Sequence, residues 1–164
     1  MYPEIILIAA DHGGFFLKQD LVPWLEQEEL AVQDLGANEH DPEDDYPPLA
    51  MAMAQELQAK NEPLAENPTT FGILICRAGG GMAIVANRFA GVRAVVCRDT
   101  FEAQKARADN NANTLVLEGD LIDLQEAQQI IDTFLHTQFE GGRHERRLQV
   151  GGEAGERRGG HVDR

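Results

Sequence analysis

Five short apolar runs alternate with helical patterns along the chain, and this alternation limits its fold more than any other feature. The apolar runs lie at 4–10, 31–36, 71–76, 92–97 and 113–119. Helical spacing of apolar residues occupies 14–28, 47–60, 81–89, 100–108 and 123–137. Near-continuous apolar strands are typical of parallel sheets covered on both faces. Five successive βα units therefore predict a parallel, doubly wound α/β sheet with helices on both sides.

The length of 164 residues suits one compact domain. We place that domain at 1–150 and interpret the Gly- and Arg-rich segment 151–164 as a flexible tail. Pro23 lies inside the first helical pattern and predicts a kink or a restart of that helix.

Composition and charge exclude several classes of function. The formal net charge of −14 argues against nucleic acid as a partner, because phosphate backbones are bound by basic surfaces. No apolar run approaches the roughly 20 residues of a membrane span, so no membrane partner is expected. The chain has two cysteines, each at the end of an apolar run, which does not resemble a disulfide framework. A reducing, cytoplasmic location is therefore expected.

Polar residues follow several of the predicted strands, where open α/β sheets bind their ligands. Asp11 and His12 follow the first strand, Cys76 and the glycines 79–81 follow the third, and Asn110 precedes the fifth. Each has a plain structural explanation as a cap, a turn or a small core residue. Together they favour a site.

The sequence around Cys76 indicates a specific chemistry. Gly79, Gly80 and Gly81 leave backbone N–H groups uncovered at the start of a predicted helix, where anions are favoured. We expect the same field to lower the pKa of the nearby Cys76 thiol. A thiolate in this position can remove a proton next to a carbonyl while the N–H groups hold the enediolate oxygen.

Six segments, in order, resemble the family of B-type ribose-5-phosphate isomerases and galactose-6-phosphate isomerase subunits. They are "ADHGGFFLK", "DYP", "GILIC", "ANRFAGVRAVVC", "NNANTLVL" and "GGRHERR". The similarity runs from about residue 5 to 148. It implies a single-domain Rossmann-like (flavodoxin-like) α/β/α sandwich and an aldose–ketose isomerase of the intramolecular oxidoreductase class. It also implies a site between the subunits of a homodimer or a dimer of dimers, with no metal and no organic cofactor.

The resemblance assigns a role to each matching residue. The cysteine base falls on Cys76, and the position of the ring-opening histidine falls on Asp109. The residues that bind the phosphorylated sugar fall on Asp11, His12, Tyr46, Gly79, Gly80, Gly81, Asn110, Arg143 and Arg147, of which the two arginines clamp the phosphate.

Three positions depart from the family pattern. Arg77 replaces a glycine, Ala78 replaces a threonine that assists the base, and Asp109 replaces the ring-opening histidine. A carboxylate of ordinary pKa is a poor proton donor at neutral pH, so ring opening is the step expected to suffer.

Two functions therefore remain open. The first is an isomerase of a phosphorylated sugar, of the ribose 5-phosphate and ribulose 5-phosphate type, which uses a cysteine base and an enediolate. The second is a sugar-phosphate-binding protein with weak or no isomerase activity. A thiol hydrolase or redox protein is disfavoured, because the chain has no Cys-x-x-Cys.

Overall fold

The computed structural model describes residues 3–62, 65 and 67–159. Its five strands form one parallel sheet in the order β2-β1-β3-β5-β4. The strands are β1 (Ile5–Ala10), β2 (Ala31–Asp34), β3 (Thr70–Cys76), β4 (Ala94–Val96) and β5 (Thr114–Glu118). Each predicted apolar run overlaps one of these strands, and the predicted α/β/α sandwich is confirmed.

Five helices follow the predicted intervals, and a sixth begins after them at Arg143. They are α1 (Phe15–Gln27), α2 (Tyr46–Lys60), α3 (Gly80–Ala86), α4 (Thr100–Asn110), α5 (Leu124–His136) and α6 (Arg143–Gly159). Helix α1 is continuous across Pro23, so the predicted restart is wrong. Leu21 and Leu25 are fully buried on either side of Pro23, and this packing offsets the hydrogen bond that proline cannot donate.

Helix α6 crosses the boundary placed at position 150. Its backbone is helical to Gly159, which includes the first nine residues of the segment interpreted as a flexible tail. Residues 160–164 lie outside the described residues. The division into a domain and a tail stays a prediction.

The sheet separates two hydrophobic cores. Helices α1, α4 and α5 cover one face, where Leu21, Ala106 and Ile131 pack against alternate residues of the strands. Helices α2 and α3 cover the other face, where Met53 and Met82 lie fully buried. With both faces covered, the two edges of the sheet remain for binding.

Candidate functional site

The carboxyl ends of β1 and β3 lie side by side and bring together the first group of predicted residues. Ala10 is in register with Ile75, so Asp11 and Cys76 leave the sheet as neighbours. The backbone N–H of Asp11 donates a hydrogen bond to the carbonyl of Ile75 at 3.2 Å. Asp11, His12 and Cys76 therefore share the edge at which parallel sheets bind their ligands.

Cys76 is a buried thiol in contact with the loop that follows it. Its side chain is 6% exposed, and Sγ accepts a hydrogen bond from the backbone N–H of Gly79 at 3.2 Å. Burial raises the pKa of Cys76 above its ordinary value; the Gly79 N–H opposes this shift, and the charge of Asp11 adds to it. The expected lowering of this pKa is wrong for the single chain, because lost hydration outweighs the N–H dipoles.

The glycine loop between β3 and α3 has three different reasons for its small residues. Gly79 adopts φ = 70°, a conformation that favours glycine. A Cβ atom on Gly81 would lie 2.6 Å from Cζ of Tyr46, so the tyrosine ring packs directly on the loop. Gly80 has no atom within 4 Å of such a Cβ and is exposed. The loop thus combines a turn, a seat for Tyr46 and an open backbone surface.

His12 forms a pair with Asp44 that sequence reasoning missed. Nδ1 of His12 lies 2.6 Å from Oδ1 of Asp44, and the backbone N–H of His12 donates to the same oxygen at 3.0 Å. This hydrogen bond is the main reason why the pKa of His12 is raised above its ordinary value. The two residues are 32 positions apart, and the only signal in the sequence is the acidic run beside Tyr46.

Arg77 and Ala78 occupy the exposed side of the same loop. The Arg77 side chain is 67% exposed, and its Nη1 lies 3.8 Å from Oδ2 of Asp120. A Cβ atom on Gly13 would lie 2.5 Å from Cγ of Arg77, so the arginine stem crosses the turn after His12. The guanidinium is thus placed at the mouth of the carboxyl edge, and Ala78 leaves that region without a hydroxyl.

Cys97 and the two residues after it make contacts that stabilise the fold. Cys97 is fully buried, and burial raises the pKa of its thiol to about 12. Asp99 caps α4 by accepting a hydrogen bond from the N–H of Glu102. Arg98 forms two hydrogen bonds of 3.1 Å with the buried Glu118. Cys97 therefore lacks the reactive environment of an exposed, activated thiol.

Asp109 and Asn110 lie at the opposite edge of the sheet. They end α4, and the chain then enters β5 at Thr114, four residues before the Glu118 that is in register with Cys76. Four residues of strand span about 13 Å. The expectation that these residues join Cys76 at the carboxyl edge is therefore wrong within one chain, because the end of a helix meets the amino end of the next strand.

Asp109 belongs to a cluster of charged residues between α4 and α6. Its Oδ1 lies 3.6 Å from Nζ of Lys105 and 3.8 Å from Nε2 of the buried His144. Asp109, Glu140 and His144 offer three potential metal ligand atoms within 4.8 Å of one another. Lys105 and Arg143, whose Nε lies 3.2 Å from Nε2 of His144, already place cationic groups there. The cluster therefore fits an ion-pair network better than a metal centre.

Arg143 and Arg147 are one turn apart at the start of α6, and both side chains are exposed. Because residues four apart on a helix share one face, the two arginines lie on the same side of α6. They lie beside Asp109 and Asn110, since α6 packs on α4. The predicted site residues thus form two groups, one at each edge of the sheet.

A groove of about 210 Å³ lies elsewhere, between the start of β3 and the end of α5. Phe71, Arg107, Leu135 and Thr137 are among its lining residues, and none of the predicted site residues lines it. Among the described residues, no helix is long and apolar enough to cross a membrane.

Comparison with known families decides the assignment of the chain. The model of the Ribose/Galactose Isomerase family matches residues 6–150. The chain belongs to this family. It is accordingly an enzyme of the aldose–ketose isomerase type, and both the predicted resemblance and the predicted enzyme class are confirmed.

Two curated relatives and one solved structure illustrate the similarity. A Mycoplasma pneumoniae protein named "Probable ribose-5-phosphate isomerase B" is 43% identical over 143 residues, 87% of this chain and 90% of its own. The D-erythrulose-4-phosphate isomerase of Pectobacterium atrosepticum is 36% identical over 137 residues, 84% of this chain and 86% of its own. The ribose-5-phosphate isomerase B of Mycoplasma genitalium with bound ribulose-5-phosphate has a TM-score of 0.86 and 36% identity, covering 93% of this chain and 96% of that one.

Proposed function

We propose that the chain interconverts an aldose phosphate and a ketose phosphate of the ribose 5-phosphate and ribulose 5-phosphate type, with Cys76 as the base. The observation that carries this proposal is the contact between Sγ of Cys76 and the N–H of Gly79 at the carboxyl end of β3. It places a proton acceptor beside backbone donors, which is the pair of groups that an enediolate mechanism needs.

The proton moves between two neighbouring carbon atoms. The Cys76 thiolate removes the proton from C2 of the open-chain aldose, and the electron pair of that C–H bond forms the C1–C2 double bond of the enediolate. The N–H groups of Gly79, Gly80 and Gly81 hold the oxygen that gains charge. The thiol then returns the proton to C1 as the ketone forms at C2, and the hydroxyl proton of O2 passes to O1, which becomes the C1 hydroxyl of the ketose. No metal or organic cofactor takes part in this proposal.

We propose further that a second copy of the chain completes the site. Cys76, Asp11, His12 and Tyr46 lie at or beside the carboxyl edge, whereas Asp109 and the exposed Arg143 lie at the other edge of the same chain. A substrate of five carbon atoms is too short to reach both groups in one chain. A homodimer, alone or paired into a tetramer, brings Asn110, Arg143 and Arg147 of one copy to Cys76 of the other.

In this shared site, different residues bind different parts of the substrate. Arg143 and Arg147 bind the phosphate through charge-assisted hydrogen bonds. Asp11, Tyr46 and Asn110 bind the hydroxyl groups of the sugar. Asp109 stands where a ring-opening acid is needed, and Lys105 and His144 beside it share its charge.

The absence of a histidine at position 109 favours substrates that need little ring opening. A four-carbon sugar carrying its phosphate on C4 cannot close a furanose ring, because the ring oxygen is esterified. The relative in Pectobacterium atrosepticum is named for such a substrate, D-erythrulose 4-phosphate. We therefore place four-carbon sugar phosphates beside ribose 5-phosphate as candidate substrates.

The second candidate function is binding of a sugar phosphate without efficient turnover. Asp109 and Ala78 are the residues that favour it, because both lack a group that assists the chemistry. A panel of tetrose, pentose and hexose phosphates, assayed separately for isomerisation and for binding, tests the two functions. Turnover of any member supports the isomerase, and binding without turnover across the panel supports the second function.

The cytoplasmic location stays a prediction.

A further inference from the structure

The histidine at the carboxyl edge has its charge controlled by one carboxylate. Both hydrogen bonds that reach the carboxylate of Asp44 from the described residues come from His12, at 2.6 Å from Nδ1 and 3.0 Å from the backbone nitrogen. They end on the same oxygen, Oδ1. The other oxygen, Oδ2, is buried and has no hydrogen-bond partner among the described residues. His12 is therefore the residue that neutralises the negative charge of Asp44 when its ring is protonated.

This geometry fixes which nitrogen of His12 faces the site. Because Nδ1 points at a carboxylate, Nδ1 carries a proton and donates it to Oδ1 of Asp44. No hydrogen bond joins Nε2 to another described residue, and the side chain is 22% exposed. In the neutral ring Nε2 is an acceptor, whereas in the protonated ring it is a second donor. Nε2 can therefore donate a hydrogen bond to an anion only when the His12 ring is protonated.

The other charged groups around His12 are Asp11 and Arg77. The charge of Asp11, the preceding residue at the end of β1, favours the protonated ring. Arg77, in the loop after β3, disfavours it, and so does the partial burial of the ring. The hydrogen bond with Asp44 is the largest of these influences, and the net shift of the pKa of His12 is upward.

We infer that Asp44 is a positioning residue that favours the protonated ring of His12 through their hydrogen bond and directs its Nε2–H toward the phosphate of the bound sugar. The imidazolium then supplies, from the carboxyl edge, a cation opposite the arginines of a second copy. This inference rests on the proposed function. It adds a residue outside the matching segments to the binding of the phosphate and makes that binding depend on pH.

The test compares wild type with Asp44→Asn and His12→Gln, using ribitol 5-phosphate as the probe. This sugar alcohol has no carbonyl group and cannot isomerise, so binding is measured whether or not the protein turns over any substrate. Calorimetry at about pH 6 and about pH 8 gives the affinity, and unphosphorylated ribitol shows how much of it comes from the phosphate. The second ionisation of the phosphate, near pH 6, affects all variants equally and cancels in their ratios.

The matched control is Asp132→Asn. Asp132 holds His136 on the exposed face of α5, with Oδ1 3.1 Å from Nδ1, in a similar pair that includes none of the predicted site residues. Proton NMR titration of the histidine rings, with His12 identified by its loss in His12→Gln, reports the pKa of His12 directly. The control is expected to change neither the titration of His12 nor the binding of the probe.

We expect Asp44→Asn to lower the pKa of His12 and to weaken binding about three- to tenfold at about pH 8, since affinity follows the protonated fraction of His12. At about pH 6 the difference in affinity should be smaller, because more of the His12 ring is protonated in both proteins. Weakening by the same factor at both values of pH, or an unchanged titration of His12, would overturn the inference.

If Asp44→Asn does not fold, a wild-type pKa of His12 at or below its ordinary value overturns the inference, and a raised value with binding lost in His12→Gln supports it. Failure of the proposed function would appear separately, as binding of the probe without turnover of any sugar phosphate.

Discussion

The backbone N–H of Gly79 donates a hydrogen bond to Sγ of Cys76 at 3.2 Å, across the loop that joins β3 to α3. An N–H donor at this sulfur favours the thiolate over the thiol, and the same donor can serve an enediolate oxygen. The burial that surrounds Cys76 works against the thiolate. Function at this site therefore depends on how far the loop and the substrate offset that burial.

The first prediction separates the two cysteines. Cys76→Ala should lower kcat by about 10²- to 10⁴-fold, because it removes the general base, while affinity for the sugar phosphate stays nearly intact. Cys97→Ala is the matched control, since Cys97 is a fully buried core residue. It should keep its turnover. Steady-state kinetics together with calorimetric binding measure both effects. A Cys97 variant that is inactive beside an active Cys76 variant would contradict the assignment.

The second prediction concerns pH. Only the thiolate removes the proton, and the pKa of Cys76 is raised, so kcat/KM should increase with pH and level off only above the ordinary range of a thiol. Asp11→Asn should move the titration of the thiol to lower pH, because the negative charge of Asp11 disfavours the thiolate. Ultraviolet absorbance of the thiolate in the free enzyme, with the Cys97 variant as background, measures this shift. A pKa of Cys76 below the ordinary value of a thiol in wild type would contradict this, because it would show that the N–H dipoles of the loop outweigh burial.

The third prediction concerns the start of α6. Arg143→Ala and Arg147→Ala should each raise KM about tenfold or more and change kcat less, because a phosphate contact made equally in the ground and transition states acts on binding. Arg146→Ala is the control, as Arg146 is exposed on the same helix between the two. Added salt should weaken binding by wild type more than binding by either clamp variant. Normal binding by both variants would leave these arginines as a solvated face of α6.

The elements of the fold follow closely from hydrophobic pattern, because each apolar run is covered on both faces by helices. The proximity of Asp11 to Cys76 also follows, since residues after parallel strands meet at one edge. The pair of His12 and Asp44 does not follow, because the contact joins distant segments through a loop without a repeating pattern. The predicted direction of the pKa shift of Cys76 was wrong, because the glycines alone do not show how deeply the thiol is buried. The position of Asn110 was misjudged because it was grouped with residues that follow strands, although it ends a helix and precedes a strand.

The fourth prediction concerns Asp109. Asp109 stands where the family pattern has the ring-opening histidine, so ring opening should limit the turnover of ribose 5-phosphate. Erythrose 4-phosphate, which cannot form a furanose ring, should react faster than ribose 5-phosphate at the same total concentration. Asp109→His should raise kcat for ribose 5-phosphate and leave kcat for erythrose 4-phosphate nearly unchanged, while Ala78 limits the gain. Equal wild-type rates on both substrates, with no gain in the variant, would show that Asp109 is no defect.

The central claim is that Cys76 of one copy acts on a sugar whose phosphate is held by Arg143 and Arg147 of another. Mixing Cys76→Ala with the double variant Arg143→Ala/Arg147→Ala, after subunit exchange, tests this claim most directly. Each variant alone lacks one half of every site and should be nearly inactive at low substrate concentration. In mixed dimers one site carries both defects and the other carries none, so random exchange restores about a quarter of the sites. Recovery of about that share of wild-type activity is the predicted result. No recovery, in a mixture shown by mass spectrometry to contain mixed dimers, would contradict the shared site.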